Sequence, residues 1–380
     1  MKTVYFDNAA TTQIRDEVID HMNHVMKSNF GNPSSTHSYG RQSKSLIESS
    51  RKRIASYFNV SASEIVFTSG GTEADNLILM SAVRDLGVQE IITSKIEHHA
   101  ILHTISQLEK QFGINVQFLN VNTKGEIDLA QLEALLQSPK KQMVSLMHIN
   151  NEIGNKLDLK MVGELCKSHH ALFQSDTVQS VGHYKLDLQE IPVDFIAASA
   201  HKFHGPKGVG FAVIRKNSGL RPIIFGGEQE RGLRAGTESI HNIAGLDKAL
   251  ELSYANLEQE RDYISVLKSY FIKCLKSEIP DIAFNGWSED LEKSAYTIVN
   301  VRLPITEDKA SLLQFQLDLK GVACSKGSAC QSGSSQKSHV LTEILDSQQL
   351  ECPSIRFSFS KYNTKEEIDY VIDVFKSFLS

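Results

Sequence analysis

Three short apolar runs in this chain each end on residues that could do chemistry. The first, VDFIAAS (193–199), leads into AHKFHGPKGVG and places Lys202 between His201 and Phe203. A lysine just past a buried strand, in a loop too short to carry it into solvent, has a depressed pKa. That suits it to form an imine with a carbonyl. The second, ALFQSD (171–176), ends on Asp176, with Gln179 three residues later. Taken alone, such a carboxylate reads as the cap of the next helix. The third, EIVFT (64–68), is followed by Ser69, Gly70, Gly71 and Thr72, which open a helical pattern. Free N–H groups at such a helix start attract an anion, typically phosphate. SGGT alone is a weak motif, with neither the P-loop lysine nor the G-x-G-x-x-G fingerprint. The three signals gain weight together. A phosphate seat, an imine-forming amine and an acid that keeps a ring nitrogen protonated are what pyridoxal 5'-phosphate needs. They favour it over a nicotinamide or a nucleotide.

These residues meet only if the elements that carry them form one sheet. From about residue 64 the chain repeats a short β-branched run, a small or polar turn and an amphipathic helix. EIVFT is followed by a helix to about Leu86, and QEIITS (89–94) by one from about His98 to Phe112. INVQFLNV, QMVSLMHI, ALFQSD and VDFIAAS continue the strand series. Strands alternating with helices at this spacing predict a mostly parallel sheet covered on both faces. Ligands of such sheets sit beyond the carboxyl ends of the strands. VGFAVIR (209–215) follows through a glycine-rich link too short for a helical crossover, so this seventh strand is expected to run antiparallel. Helical patterns dominate from about Ile243 to Ser277, and Pro280 marks a junction. Strands near YTIVNVRL and SIRFSFS and a closing helix in KEEIDYVIDVFKSFL then read as a smaller α+β unit. The expected division is a large α/β domain over 15–255, and a small domain built from 1–14 and 256–380.

Composition sets the outer limits. The chain has 380 residues, 41% hydrophobic and 22% charged, with a net charge of −5. That charge offers no general attraction to nucleic acid or an anionic membrane. No apolar run reaches the length of a membrane span, and MKTVYFDNAATT lacks the hydrophobic centre of a signal peptide. Five cysteines, an odd number in a long chain, argue against a disulfide framework. The expected setting is cytoplasmic, with reduced thiols.

GVACSKGSACQSG (321–333) carries two of those thiols in a stretch with almost nothing to bury. On its own it reads equally well as a loop with incidental cysteines. The rest of the chain decides. VYFDNAATT (4–12), GNPSSTH (31–37), FTSGGTEADN (67–76), EHHA (97–100), HINNEIG (148–154), SDTVQSVG (175–182), SAHKFHGPKGVG (199–210), RGLRAGTES (231–239), GSAC (327–330) and SIRFS (354–358) occur in order along it. In these segments the chain resembles the cysteine desulfurases of the NifS/IscS group, over nearly its whole length. GSAC and SIRFS are the specific part, because a generic aminotransferase would not carry them.

The resemblance implies a fold-type I pyridoxal-phosphate enzyme that converts L-cysteine to L-alanine and holds the sulfur as a persulfide. It makes Lys202 the Schiff-base lysine and gives the phosphate to Gly71, Thr72, Ser199 and His201. It pairs Asp176 with the pyridine nitrogen and Gln179 with the phenolic oxygen, stacks His98 on the ring and sets Asn151 near ring and substrate. His98 is also a candidate for moving protons. Thr237 would reach the phosphate of a neighbouring subunit, which implies a homodimer. Arg356 would clamp the substrate carboxylate, a task suited to a planar bidentate donor. Cys330 would be the nucleophile on a loop of about 323–338, whose glycines and serines let it travel between cofactor and acceptor. A flexible segment of that length spans on the order of 20 Å.

Other residues have plainer readings. Cys324 fits no family position and reads as a bystander, and Cys166 as a core residue. Cys274 and Cys352 carry no signal. The pairs His98–His99 and His169–His170 lack a Cys-x-x-Cys companion, so no metal is expected. Asn8 and the AATT after it either shape the mouth of the site or form a plain turn. Ala200 stands where many relatives have glycine, and DTVQ replaces the commoner DATQ while keeping Asp176 and Gln179. The chain stops 24 residues after Arg356, without a longer tail that docks an iron–sulfur scaffold in some relatives. That tilts the expected sulfur acceptor toward a tRNA-modifying sulfurtransferase rather than a scaffold. Two other outcomes stay open: a different pyridoxal-phosphate enzyme, such as a transaminase or selenocysteine lyase, and a catalytically idle sulfur-relay protein on the same fold.

Overall fold

The computed structural model describes residues 2–305, 313–326 and 337–379. The N-terminal strand β1 (Val4–Tyr5) is followed, after two helices, by the seven strands of the main sheet. These are β2 (Ile65–Thr68), β3 (Glu90–Ser94), β4 (Asn115–Leu119), β5 (Gln142–Ser145), β6 (Leu172–Asp176), β7 (Phe195–Ser199) and β8 (Gly210–Ile214). They lie in the order β2-β8-β7-β6-β5-β3-β4. β4 to β7 and β3 pair in parallel, and β8 runs antiparallel to both β2 and β7. The antiparallel reading of residues 209–215 therefore holds.

Every residue of β2, β3, β5, β7 and β8 is buried. That is the pattern of strands covered on both faces, and it explains why they read as apolar runs rather than alternations. One hydrophobic cluster, with Phe58, Phe173 and Phe211, packs one face; another, with Ile78, Leu108 and Phe195, packs the other. The chain order reverses between β3 and β5, which are neighbours although β4 lies between them in sequence. Such a reversal opens a crevice at the strand ends.

The helices that leave these strand ends start in ways the sequence encodes. His98 caps the helix His99–Phe112 by accepting from the Ala100 N–H at 3.1 Å, and Gly113 closes it in the left-handed region at φ 65°. The helix Gly71–Arg84 begins after Gly70, which has no side chain to cap it. Its first N–H groups are left pointing at whatever lies beyond β2.

The charged helical region after residue 240 is two helices, Ile240–Ala255 and Leu257–Glu278. The second packs in a separate hydrophobic cluster with Phe6, Phe357, Phe359 and Phe375. Beside it, β9 (Ala283–Phe284), β10 (Ile298–Arg302) and, after the short β11 (Val322–Ala323), β12 (Ser354–Ser358) form the rest of the small-sheet region. Its three-stranded antiparallel sheet has the order β12-β10-β9, while β11 pairs in parallel with β1. The two-residue strands were not legible in the sequence. Yet they bring the N-terminus onto the small sheet: Asp7 bridges to Ser358, and Ser325 bridges to Arg356.

Candidate active site

The carboxyl ends of β2, β6 and β7 and the segment after β3 enclose a cavity of about 460 Å³. Ten of the twelve residues singled out above line it: Gly71, Thr72, His98, Asn151, Asp176, Gln179, Ser199, His201, Lys202 and Arg356. Thr237 is exposed and does not line it, and Cys330 lies outside the described residues. A larger cavity of about 740 Å³ shares Met147 with this one, but it contains neither the lysine nor Asp176.

Lys202 sits in the single 3-10 turn, Ala200–Lys202, that follows β7. Its Nζ donates to the carbonyls of Ala9 and Ala10 at 2.5 and 2.9 Å. Gln179 Nε2 donates to the same Ala9 carbonyl at 2.9 Å. His201 Nδ1 shares a hydrogen bond with Thr11 Oγ1 at 3.2 Å, and the Thr12 N–H donates to the His201 carbonyl. The AATT segment thus forms a wall of the site, and the plain-turn alternative falls away. Ala9, Ala10 and Thr11 belong to the site although nothing in their residue types announced it.

The anion end is shaped by glycine. A β-carbon on Gly71 would stand 2.5 Å from Val178 Cγ2, so only glycine lets the helix start come this close. Glu73 Oε2 accepts from the Ser69 N–H at 2.8 Å and its Oε1 accepts from Arg234 Nε at 2.8 Å. These bonds fix the turn before the helix. Arg51 donates through both Nη atoms to Glu230, whose Oε2 also accepts from the Phe67 N–H at 2.8 Å. The strand that leads into the cradle is thereby tied to the segment that leads to Thr237.

The ring end is acidic. Asp176 is 8% exposed and its Oδ1 accepts from the Val178 N–H at 2.9 Å. Burial pushes it up to about 6, against the pull of that N–H and of Lys202. Behind it, Asp75 and Glu97 are held well above the usual carboxylate range, chiefly by burial and further by nearby negative charge, Asp176 included. Burial, and then the charge of Lys202, push His98 down to about 4. His201 is likewise pushed down to about 4 by burial and the lysines beside it. Both imidazoles are neutral at ordinary pH.

Arg356 projects from the middle of β12 and is 1% exposed. Its Nη1 donates to the Asn151 carbonyl at 2.8 Å and its Nη2 to Asp7 Oδ1 at 2.9 Å. Cys324 packs against the small-sheet core, and burial, reinforced by Asp7, pushes its thiol up to about 12. Cys166 is 1% exposed and pushed up to about 12 by burial. Cys166 is the core residue its sequence context suggested, whereas Cys324, read as a bystander in a loop with little to bury, packs against a core as well.

Comparison with known proteins now has a geometry to explain. The sequence profile described as Aminotransferase class-V matches residues 4–371. The chain belongs to the class-V aminotransferase family. Within it the chain groups with the cysteine desulfurases. It is 40% identical over 376 residues to the cysteine desulfurase IscS of Dictyoglomus turgidum, covering 98% of this chain and 93% of that one. A solved NifS-like protein superposes with a TM-score of 0.89 at 34% identity, covering 100% and 99% of the two chains. A structure described as SspA in complex with cysteine superposes with a TM-score of 0.81 at 31% identity, over 95% of this chain and 100% of that one.

The cofactor of this desulfurase family is pyridoxal phosphate, and the residues present fit it. A helix start whose glycine leaves no room for a β-carbon beside Val178, a buried acid and an amine share one cavity. When bound, pyridoxal phosphate supplies an electron sink that weakens bonds to the α- and β-carbons of an attached amino acid. Among the described residues, no helix is long and apolar enough to cross a membrane.

Proposed function

We propose that this desulfurase takes the sulfur of L-cysteine onto Cys330, releases L-alanine and passes the sulfur to an acceptor protein. One observation carries this reading. The lysine, the acid and the arginine open into the same cavity from the turn after β7, the end of β6 and the middle of β12.

Each side chain has a task set by its surroundings. Lys202 would hold the cofactor covalently and, as a neutral amine, would take the α-proton of the substrate. Gly71, Thr72, Ser199 and His201 would hold the phosphate. Asp176 would keep the ring nitrogen protonated, and Gln179 would meet the phenolic oxygen. His98 would cover the ring and, being neutral with its Nδ1 lone pair taken by the Ala100 N–H, carries its proton on Nε2, from which it can donate. Asn151 and Arg356 hold the substrate, with the guanidinium on its carboxylate. The Cys330 thiolate attacks the substrate sulfur, the carbon–sulfur bond breaks, and the carbon takes a proton to become the methyl group of alanine. One S–S and one C–H bond replace one C–S and one S–H bond, and the second thiol proton stays on the persulfide, so no outside oxidant is needed.

The division into a unit over 15–255 and one from 1–14 with 256–380 belongs to the same reading. It is supported by the separate hydrophobic clusters on either side. So does the homodimer. Thr237 faces solvent rather than its own cavity, and Phe30, Tyr39 and Phe225 are exposed apolar residues that a partner would cover. The acceptor we favour is a tRNA-modifying sulfurtransferase over an iron–sulfur scaffold, in the cytoplasm.

The test is to incubate protein, L-cysteine and a thiol reductant, and to assay alanine and sulfide together. Alanine and sulfide should appear in equal amounts. Lys202→Ala should lose the absorbance near 420 nm of the bound cofactor and reduce turnover by about 10³-fold or more. Cys330→Ser should keep that absorbance and form no persulfide. No alanine from cofactor-loaded protein would overturn the reading. Keto-acid-dependent turnover that survives Cys330→Ser would point to a transaminase instead.

A further inference from the structure

The Arg356 guanidinium is buried and carries five N–H donors, of which the protein visibly engages two. Nη1 is taken by the Asn151 carbonyl and Nη2 by Asp7 Oδ1, while Nε is buried without a partner. Asp7 is itself held on both sides. Its backbone bridges to Ser358 on β12, and its carbonyl accepts from the Ala10 N–H at 3.0 Å and the Tyr5 hydroxyl at 3.2 Å. The oxygen that meets Arg356 also accepts from Ser325 Oγ at 2.7 Å. Ser325 stands five residues before Cys330, and its backbone exchanges hydrogen bonds with that of Arg356 at 2.8 and 3.2 Å.

An acid beside a substrate-binding arginine has two physical readings. It can be a resident competitor that occupies the guanidinium until a substrate carboxylate displaces it. Or it can hold the plane of the guanidinium and leave the other donors free. A competitor would grip the fork with both oxygens, the strong geometry for this pair. Asp7 instead meets one Nη through one oxygen, and shares that oxygen with a serine. That leaves a second N–H on each Nη, which is what the second reading requires.

We propose that Asp7 is a positioning residue for substrate recognition: it fixes the Arg356 guanidinium so that the remaining N–H on each Nη receives the substrate carboxylate. The inference rests on Arg356 binding that carboxylate, and it adds a residue outside the family-derived site set. Asp7 also provides the countercharge without which a buried guanidinium is costly to keep. Through Ser325 it joins the carboxylate clamp to the chain that leads to Cys330.

The test uses cofactor-loaded protein and two probes, L-alanine and ethylamine, the same skeleton without its carboxylate. Binding is read from the change in cofactor absorbance on titration. Asp7→Asn should weaken L-alanine about tenfold, the size expected for one hydrogen bond between charged groups. Ethylamine should change by less than about twofold, because it has no carboxylate to place. In turnover, KM for L-cysteine should rise while kcat stays close to that of the unmodified enzyme. Equal losses for both probes would mark a merely structural role, and tighter L-alanine binding would mark a competitor; either overturns the proposal. Arg356→Lys separates the premises: if it leaves L-alanine binding unchanged, the carboxylate-clamp reading itself fails. Should Asp7→Asn not fold, judged by the melting of its cofactor-free form, Asp7→Glu takes its place. That variant keeps the charge but moves the oxygen that meets Arg356, and unchanged L-alanine affinity in it would overturn the proposal.

Discussion

Gly71 and Val178 face each other so closely that a β-carbon on the glycine would stand 2.5 Å from the valine Cγ2. The contact joins the start of the helix after β2 to the turn after Asp176, the phosphate end of the site to the ring end. Gly71 is needed for space rather than for an unusual backbone angle, since among the glycines of this turn only Gly70, at φ 158°, has a positive φ. Gly71→Ala should push the two strand ends apart. Overpacking of this kind costs about 1–3 kcal/mol of fold stability, and the displaced cradle should also lower affinity for pyridoxal phosphate. Equilibrium dialysis of the cofactor measures the second effect, and a lower melting midpoint of the cofactor-free protein measures the first. Unchanged cofactor affinity would show that the cradle is not where the phosphate sits.

How far the site could be read from sequence follows from the range of the forces involved. Lys202, Asp176 and Gly71 were legible because each follows a strand whose burial on both faces makes an uninterrupted apolar run. The carboxyl ends of parallel strands lie along one edge of the sheet whatever the strand order. Asp7 was not legible. Its role depends on the Ser325–Arg356 bridge and on β1 pairing with β11, strands two residues long that lie over three hundred positions apart. No periodicity exists at that length. The order reversal between β3 and β5 was equally hidden, because parallel pairing fixes which elements alternate but not which become neighbours. The resemblance supplied Arg356 and His98, which local pattern alone would have left as a strand residue and a helix cap.

Thiol reactivity separates the two cysteines of the 321–333 stretch. Burial, and after it the carboxylate of Asp7, push Cys324 up to about 12. At pH 8 a thiol with that pKa is thiolate in roughly one molecule in ten thousand, and only the thiolate reacts. Iodoacetamide at pH 8 should therefore leave Cys324 and the equally raised Cys166 unlabelled in the folded protein, and label both after denaturation. Peptide mass mapping reads the result. Cys330 should be alkylated in the folded protein, and Cys324→Ser should retain desulfurase activity. Rapid labelling of Cys324 in the native state would contradict its packing and reopen it as a sulfur carrier.

Lys268 offers a test of the small-sheet core that does not depend on the chemistry. It is completely buried in the helix Leu257–Glu278, and its Nζ donates to Ser294 Oγ and to the Ala295 carbonyl, both at 2.7 Å. Burial, with a smaller push from the charge of Lys156, lowers it to about 7, against the opposing pull of Asp290. In the unfolded chain a lysine titrates near 10.4. Below about pH 7 both states hold the proton, and folding bears the full cost of burying an ammonium. Between that value and 10.4 the unfolded chain holds more protons than the folded one, so stability from this group rises with pH. The slope for one group is at most about 1.4 kcal/mol per pH unit. Lys268→Met removes the titration while Ser294 keeps its own bond to the Asp290 carbonyl. The advantage of the unmodified protein over Lys268→Met should accordingly be small at pH 6 and grow steadily to pH 9. Calorimetric melting of both cofactor-free proteins across that range decides it. A difference that stays constant with pH would mean that Lys268 titrates like an exposed lysine, and that the helix does not seal it from water.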